Sequence, residues 1–294
     1  MHKKQCFVLL FSFFILSSLF CKAVPDDTVF LWKNVRGMKR HRSVMYYHSP
    51  ADNSLKTDIA VIILPGGSYH HLGLYSEGYS SGEWFATNGI SAFVLKYRTS
   101  EDNYHHPAML EDVQRAIQLI RENAEEYEIN PDKIGIIGYS AGGHLTLMSG
   151  IFSGESELTK LGITTDVSLR PDFLIPVYPV VSMQDDIAHK WSRRSLLGRK
   201  YTQQQKDAFS LDENVPDDMP PTYIVVARDD PVVNYQNSVR MYSALQEKNI
   251  ENCRLDIYDW GGHGFGMSNG NFMKKFRWNR KILEWLKEIG ILEQ

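Results

Sequence analysis

The chain has 294 residues, 43% of them hydrophobic and 23% charged, with 21 glycines, 12 prolines and a formal net charge of −3 at pH 7. That composition excludes a disordered chain, a collagen-like repeat and a disulfide-dense mini-protein. The mild acidity removes the bulk attraction that nucleic acid or an anionic membrane surface would require, and the length allows one large domain or two small ones.

Lys3 and Lys4 precede a stretch, residues 7–20, that is broken only by Ser12, Ser17 and Ser18. It is shorter than the roughly 20 apolar residues that span a bilayer. It therefore reads as a secretory signal peptide, residues 1–23, with Ala23 closing a small-x-small cleavage site. Acylation of Cys21, as in a bacterial lipoprotein, is the alternative, and the bulk of Phe20 before it speaks against that. A buried N-terminal helix is opposed by Pro25, Asp26 and Asp27. Cleavage after Ala23 would remove Cys6 and Cys21 and leave Cys253 with no internal disulfide partner. It would also remove Lys3, Lys4 and Lys22. The expected product is secreted or periplasmic, more acidic than the whole chain, and without a transmembrane helix.

Strand and helix signals then alternate. Residues 59–64 form an apolar, β-branched run stopped by Pro65, Gly66 and Gly67, as in a buried strand entering a tight loop. A helix over 82–88 ends at Asn88-Gly89, and 90–97 is a second strand. Pro107 opens a long amphipathic helix in which Leu110, Val113, Ile117 and Ile120 share one stripe. Asn130-Pro131-Asp132 marks a turn before a strand over 134–138. Residues 173–177, 222–227 and 254–258 read as three more strands, with helices over 238–247 and 276–287. Strands separated by helices of this length imply a mostly parallel sheet covered on both faces, an α/β domain. Residues 187–218 are polar and carry no strand signal. Trp191, Leu196, Leu197 and Phe209 are their apolar anchors. At about 30 residues they are too few for a domain and read as a helical insertion placed to cover a site.

Gly138-Tyr139-Ser140-Ala141-Gly142 is a G-x-S-x-G pattern set between an apolar strand and a helix-capable stretch, 141–148. That strand–turn–helix setting is what distinguishes a nucleophilic serine from a chance match, an N-cap or a phosphate-binding turn. The turn is sharp and strained, so glycines on both sides must let the strand and helix backbones pass. The helix N-terminus favours a developing oxyanion. A serine hydroxyl needs a base and an orienting acid, in the order Ser, Asp or Glu, His, each on a loop after a later strand. His263, ringed by glycines after the strand at 254–258, is the base. Asp230, which starts a D-x-x-V turn, is the acid, with Asp229 as its rival and Asp259 a distant third. The oxyanion hole is assigned to the amides of Ala141, Gly67 and Ser68.

Together, Leu64-Pro65-Gly66-Gly67-Ser68-Tyr69, His106-Pro107 leading into Leu110-Glu111-Asp112-Val113, residues 134–144, residues 229–233 and Gly261-Gly262-His263-Gly264-Phe265-Gly266 carry a family pattern. Over about 59–286 the chain resembles bacterial α/β-hydrolase-fold carboxylesterases of the acetyl xylan and feruloyl esterase group, and more loosely hormone-sensitive-lipase and dienelactone-hydrolase relatives. The resemblance implies residues 24–294 as a single α/β-hydrolase catalytic domain, with Ser140 as nucleophile, Asp230 as acid and His263 as base. It implies hydrolysis of acetyl or feruloyl esters on a polysaccharide such as xylan. Pro65 and Ser68 stand where the lipase-type loop has a His and a last Gly. A serine peptidase of the prolyl-oligopeptidase type shares the triad order, but the stretch before residue 59 is too short for the large N-terminal domain of such enzymes. A catalytically dead binding protein on the same fold would not need all three positions filled.

No cofactor motif is present and no metal is expected. The pairs His70-His71 and His105-His106 lack a third ligand at metal-site spacing and read as loop histidines near the site. Asp112, on the amphipathic helix, reads as solvated or hydrogen-bonded. Trp191 and Trp260 are candidates for stacking on a sugar or an aryl ester, and of the two only Trp260 lies close in sequence to His263.

Overall fold

Alternating side chains divide the strands between two hydrophobic layers, and that division sets the architecture. In the computed structural model, which describes residues 27–38, 42–50 and 55–293, eight strands form one sheet. They are β1 (Asp27–Phe30), β2 (Val44–His48), β3 (Ala60–Leu64), β4 (Ser91–Lys96), β5 (Ile134–Tyr139), β6 (Phe173–Val177), β7 (Tyr223–Ala227) and β8 (Arg254–Tyr258), in the order β1-β2-β4-β3-β5-β6-β7-β8. The residues expected to form a signal peptide, 1–23, with Cys6, Cys21 and Ala23, lie outside the described residues.

On β3, Ala60, Ile62 and Leu64 face one layer and Val61 and Ile63 the other, the period of two that a strand imposes. The first layer holds α2 (Ala108–Glu122), α3 (Ala141–Ile151) and α7 (Gln236–Glu247). The second holds α1 (Ser80–Thr87) and α9 (Trp278–Glu288). With helices on both faces, β3 to β8 pair in parallel, as crossover connections require. The fold is the α/β-hydrolase type expected.

Several elements depart from the sequence reading. β1 and β2 were not expected. They are short, carry polar and aromatic side chains, and pair antiparallel at the edge of the sheet. The helix expected at 82–88 starts earlier, preceded by a π-type turn at Leu74–Tyr79. The helix expected at 276–287 is α9, which starts at Trp278; a further helix that was not expected, α8 (Gly270–Phe276), precedes it and is set off by Arg277, whose φ is +51°. The polar stretch 187–218 lies between β6 and β7 and contains α5 (Lys190–Leu197), α6 (Gln203–Ala208) and a 3₁₀ turn at Leu211–Glu213; Glu157–Lys160 forms the short α4. Leu196, Leu197 and Phe209 are its buried anchors, but Trp191 is not: its side chain is exposed.

Parallel register aligns the carboxyl ends of the strands. Leu64 pairs with Gly138, Tyr139 with Val177, and Ala227 with Tyr258, so the loops after β3, β5, β7 and β8 emerge along one edge. Asp112 is not solvated. It is fully buried and accepts hydrogen bonds from Trp32 Nε1 (2.7 Å), Ser43 Oγ (2.9 Å) and the backbone and side chain of Arg98. It thereby ties the chain before β2 and the end of β4 to α2. Asp112→Ala would leave the buried Arg98 guanidinium without its fully desolvated partner. We expect it to lower the unfolding free energy by about 3–5 kcal/mol, read from the urea midpoint; a loss below about 1 kcal/mol would show that Glu111, 2.7 Å from Arg98, suffices.

Candidate active site

Ser140 sits at the junction of β5 and α3 with φ +55° and ψ −116°, a strained conformation for a residue with a Cβ. The neighbouring glycines make the turn possible by close approach. A Cβ on Gly138 would stand 2.2 Å from Gly142 O, and one on Gly142 would stand 2.1 Å from Leu64 O. The helix backbone thus passes directly over β3 and β5, and Ser140 is held above the sheet at the helix N-terminus.

The loops after β7 and β8 bring two more side chains to it. His263 Nδ1 lies 2.7 Å from Asp230 Oδ2 and His263 Nε2 lies 2.9 Å from Ser140 Oγ. A carboxylate accepts only, so Nδ1 carries the proton, and Nε2 is free to accept from the serine hydroxyl. The other Asp230 oxygen accepts from the amides of Val232 (2.8 Å) and Val233 (2.9 Å), which fixes the carboxylate. Asp229 instead accepts from Gly262 N (2.8 Å); it shapes the histidine loop and does not touch the imidazole. Asp259 is exposed, 3.7 Å from Arg228.

Gly67 and Ser68 line a cleft of about 260 Å³ together with Gly66, His71, Glu77, Ser140, Val232 and His263. Their φ values are +128° and +58°. Gly67 O accepts from the amides of His70 and His71, while neither the Gly67 nor the Ser68 N–H donates to another backbone group. Ala141 opens α3, and its N–H belongs to the first-turn amides that have no partner within the helix. The residues expected to form the nucleophile, base, acid and oxyanion hole are therefore brought together around one cleft.

Two residues beside it were missed. Glu77, on the π-type turn, is buried; it accepts from Gly66 N (2.7 Å) and from Tyr178 OH (2.8 Å). Tyr178 OH in turn accepts from Gly266 N (3.2 Å), and its ring lies 4.8 Å from that of His263. One carboxylate thus links the Gly66–Ser68 loop to the histidine loop. Burial raises its pKa, an effect opposed by its hydrogen bonds from Tyr178 and Gly66 and by His263. No sequence motif marks it.

His144, on α3, is fully buried. It accepts from Tyr69 OH at Nδ1 (2.8 Å) and donates from Nε2 to Phe209 O (3.0 Å), so it joins the loop after β3 to the 187–218 segment. His105 Nδ1 bonds Ser195 O, the His106 amide donates to Leu196 O, and the His106 ring packs 4.5 Å from Phe209. These histidines fasten that segment to the body. Among the described residues no group of three His, Cys, Asp or Glu side chains is arranged to hold a metal ion. Trp260 packs on Phe272 and Phe276 beneath Lys275, whereas Trp191 stands against His70 and His71.

A model of the BD-FAE family matches residues 45–245. The chain belongs to the BD-FAE family. Its mostly parallel sheet with helices on both faces is that of the α/β-hydrolase fold. An acetylxylan esterase of Xylanibacter ruminicola is 34% identical to it over 240 residues, which is 78% of this chain and 45% of that protein. Endo-1,4-beta-xylanase B of Butyrivibrio fibrisolvens is 33% identical over 229 residues, 77% of this chain and 35% of that protein. This BD-FAE chain spans less than half the length of either relative. The crystal structure of an acetyl ester-xyloside bifunctional hydrolase from Caldicellulosiruptor lactoaceticus matches with a TM-score of 0.79 at 30% identity, covering 91% of this chain and 98% of that one.

Burial pulls the pKa of both His144 and His106 down to about 4. The folded chain keeps them neutral while the unfolded chain protonates them below about pH 6.5. The stability they contribute is complete above that pH and is lost as pH falls toward 4, at about 1.4 kcal/mol per pH unit for each histidine. Urea midpoints measured from pH 7 to pH 4 should fall accordingly. His144→Gln, which can keep both hydrogen bonds, should flatten the slope by about one proton; an unchanged slope would assign the acid sensitivity elsewhere.

Proposed function

We propose that the protein is an exported serine esterase that removes acyl groups, acetyl or the bulkier feruloyl, from a plant cell-wall polysaccharide such as xylan. The observation that carries the chemistry is the hydrogen-bond relay from Ser140 Oγ through His263 to Asp230, opening on a cleft lined by Gly67 and Ser68. His263 Nε2 takes the serine proton as Oγ attacks the ester carbonyl carbon. The Nδ1–H donated to Asp230 orients the ring and stabilises the imidazolium that forms. The amides of Ala141, Gly67 and Ser68 receive the oxyanion. His263 then returns the proton to the leaving alkoxide, and water repeats the sequence on the acyl-enzyme to release the acid and restore Ser140. The xylan assignment is supported by relatives named for acetylxylan and xyloside hydrolysis, and export by Lys3, Lys4 and the apolar stretch 7–20.

On p-nitrophenyl acetate, Ser140→Ala and His263→Ala should lower kcat by about 10⁴-fold or more and Asp230→Asn by about 10²- to 10⁴-fold. Asp229→Asn should cost less than about tenfold, since it loses a loop hydrogen bond alone. Full activity in Ser140→Ala would end the esterase reading, and a larger loss at Asp229 than at Asp230 would reverse the assignment of the acid. The substrate is tested by mass spectrometry of the acid released from acetylated xylan and from feruloylated arabinoxylan, beside a proline-containing peptide. Cleavage of the peptide alone would overturn the carbohydrate assignment.

A further inference from the structure

Among the large apolar side chains of the 187–218 segment, Trp191 alone is exposed. The buried face of α5 carries Ser192, Arg193, Ser195, Leu196 and Leu197, yet Trp191 beside them is 51% exposed. An exposed indole contributes little to the core, and this one lies beside the reaction cleft. Its ring centroid is 5.5 Å from that of His70 and 6.1 Å from that of His71, tilted by 44° and 50°. The two histidine rings stand perpendicular to one another, 6.3 Å apart. His71 lines the same cleft as Ser140. Both histidine amides bond to Gly67 O, so the aromatic cluster grows out of the turn that carries Gly67 and Ser68.

The start of α5 lies within electrostatic reach of His263 and Asp230. His189, two residues before Trp191, is held below its ordinary pKa by burial and by the nearness of His263, with Asp230 opposing. The helix is also rigidly seated. Leu196 O and Ser195 O are held by the histidines at 105 and 106, and Arg193 Nη1 donates to Met183 O (2.7 Å) and pairs with Asp185. His70 is fixed through a 3.1 Å hydrogen bond between Nδ1 and Ser100 Oγ. A flat apolar face, already ordered and flanked by imidazole nitrogens, suits a ring that is apolar on one face and bears hydroxyls at its edge. Preordering lowers the entropic cost of binding such a ring.

We propose that Trp191, with His70 and His71, forms a subsite for the pyranose ring whose ester Ser140 attacks. The inference rests on the esterase reading above and names the alcohol side of its substrate. The acyl group enters the cleft, the sugar face lies on the indole, and the histidine nitrogens meet its hydroxyls.

The test compares acetylated xylotriose with ethyl acetate, an ester that has neither a sugar nor an aromatic ring, and adds methyl ferulate as an aryl probe. In Trp191→Ala the ratio of kcat/KM for acetylated xylotriose to that for ethyl acetate should fall at least tenfold, through KM and not kcat. Trp191→Phe, which keeps a flat ring, should recover part of the loss. An unchanged ratio would overturn the subsite, whether both activities fell together or neither fell. A larger effect on methyl ferulate than on the acetylated sugar would overturn it in favour of an aryl site. If the wild-type enzyme cleaves ethyl acetate but not acetylated xylotriose, the subsite fails while the esterase reading stands. Cleavage of none of the three esters sinks both.

Discussion

The crossing of three backbones at Gly138, Gly142 and Leu64 is the contact on which the remaining geometry depends. The two glycines lack the Cβ atoms that would stand 2.2 Å and 2.1 Å from backbone oxygens. Through that contact α3 rests on β3 and β5 at once, and Ser140 has no relaxed conformation available between them. The same contact sets the distance from Ser140 to the loop that leaves β3, because Leu64 is the last residue of that strand. Ser140 and the Gly66–Ser68 loop are therefore positioned by packing of the main chain, which side-chain motion cannot blur.

Glu77 completes the frame on the opposite side. Burying a carboxylate is costly unless it is hydrogen-bonded, and among the described residues this one accepts from the Gly66 amide and the Tyr178 hydroxyl. Tyr178 passes the constraint to Gly266 and packs on His263. Loops after β3 and β8, far apart in sequence, thus share one polar anchor, and His263 is braced by a ring on one side and by Asp230 on the other.

What the sequence made legible follows from how local each signal is. β3, β5, β6 and β7 are continuous buried runs, so their burial on both faces is written in composition. β1 and β2 are short edge strands whose pairing depends on distant partners. The π-type turn at Leu74–Tyr79 carries Glu77 to Gly66 and Tyr178, tertiary contacts that leave no periodic trace. Arg277 breaks α8 from α9 at positive φ where a glycine would have announced the end. In the site, Ser140 and His263 carry their own motifs, whereas the choice between Asp229 and Asp230 depends on which carboxylate the β7 loop turns toward the imidazole. Glu77 and Tyr178 have no motif at all, and Trp191 could be told from Trp260 only by its neighbours in space.

The segment between β6 and β7 is joined to the body by hydrogen bonds and packing at His105, His106 and His144, none of which exchanges protons with a reacting group in the mechanism above. Its one exposed ring stands apart from those attachments. Stability of the segment and the surface it offers are thus governed by different residues. A lineage could exchange residue 191 by a single codon, and so alter which ester-bearing molecules it engages, while the chemistry beneath is inherited intact.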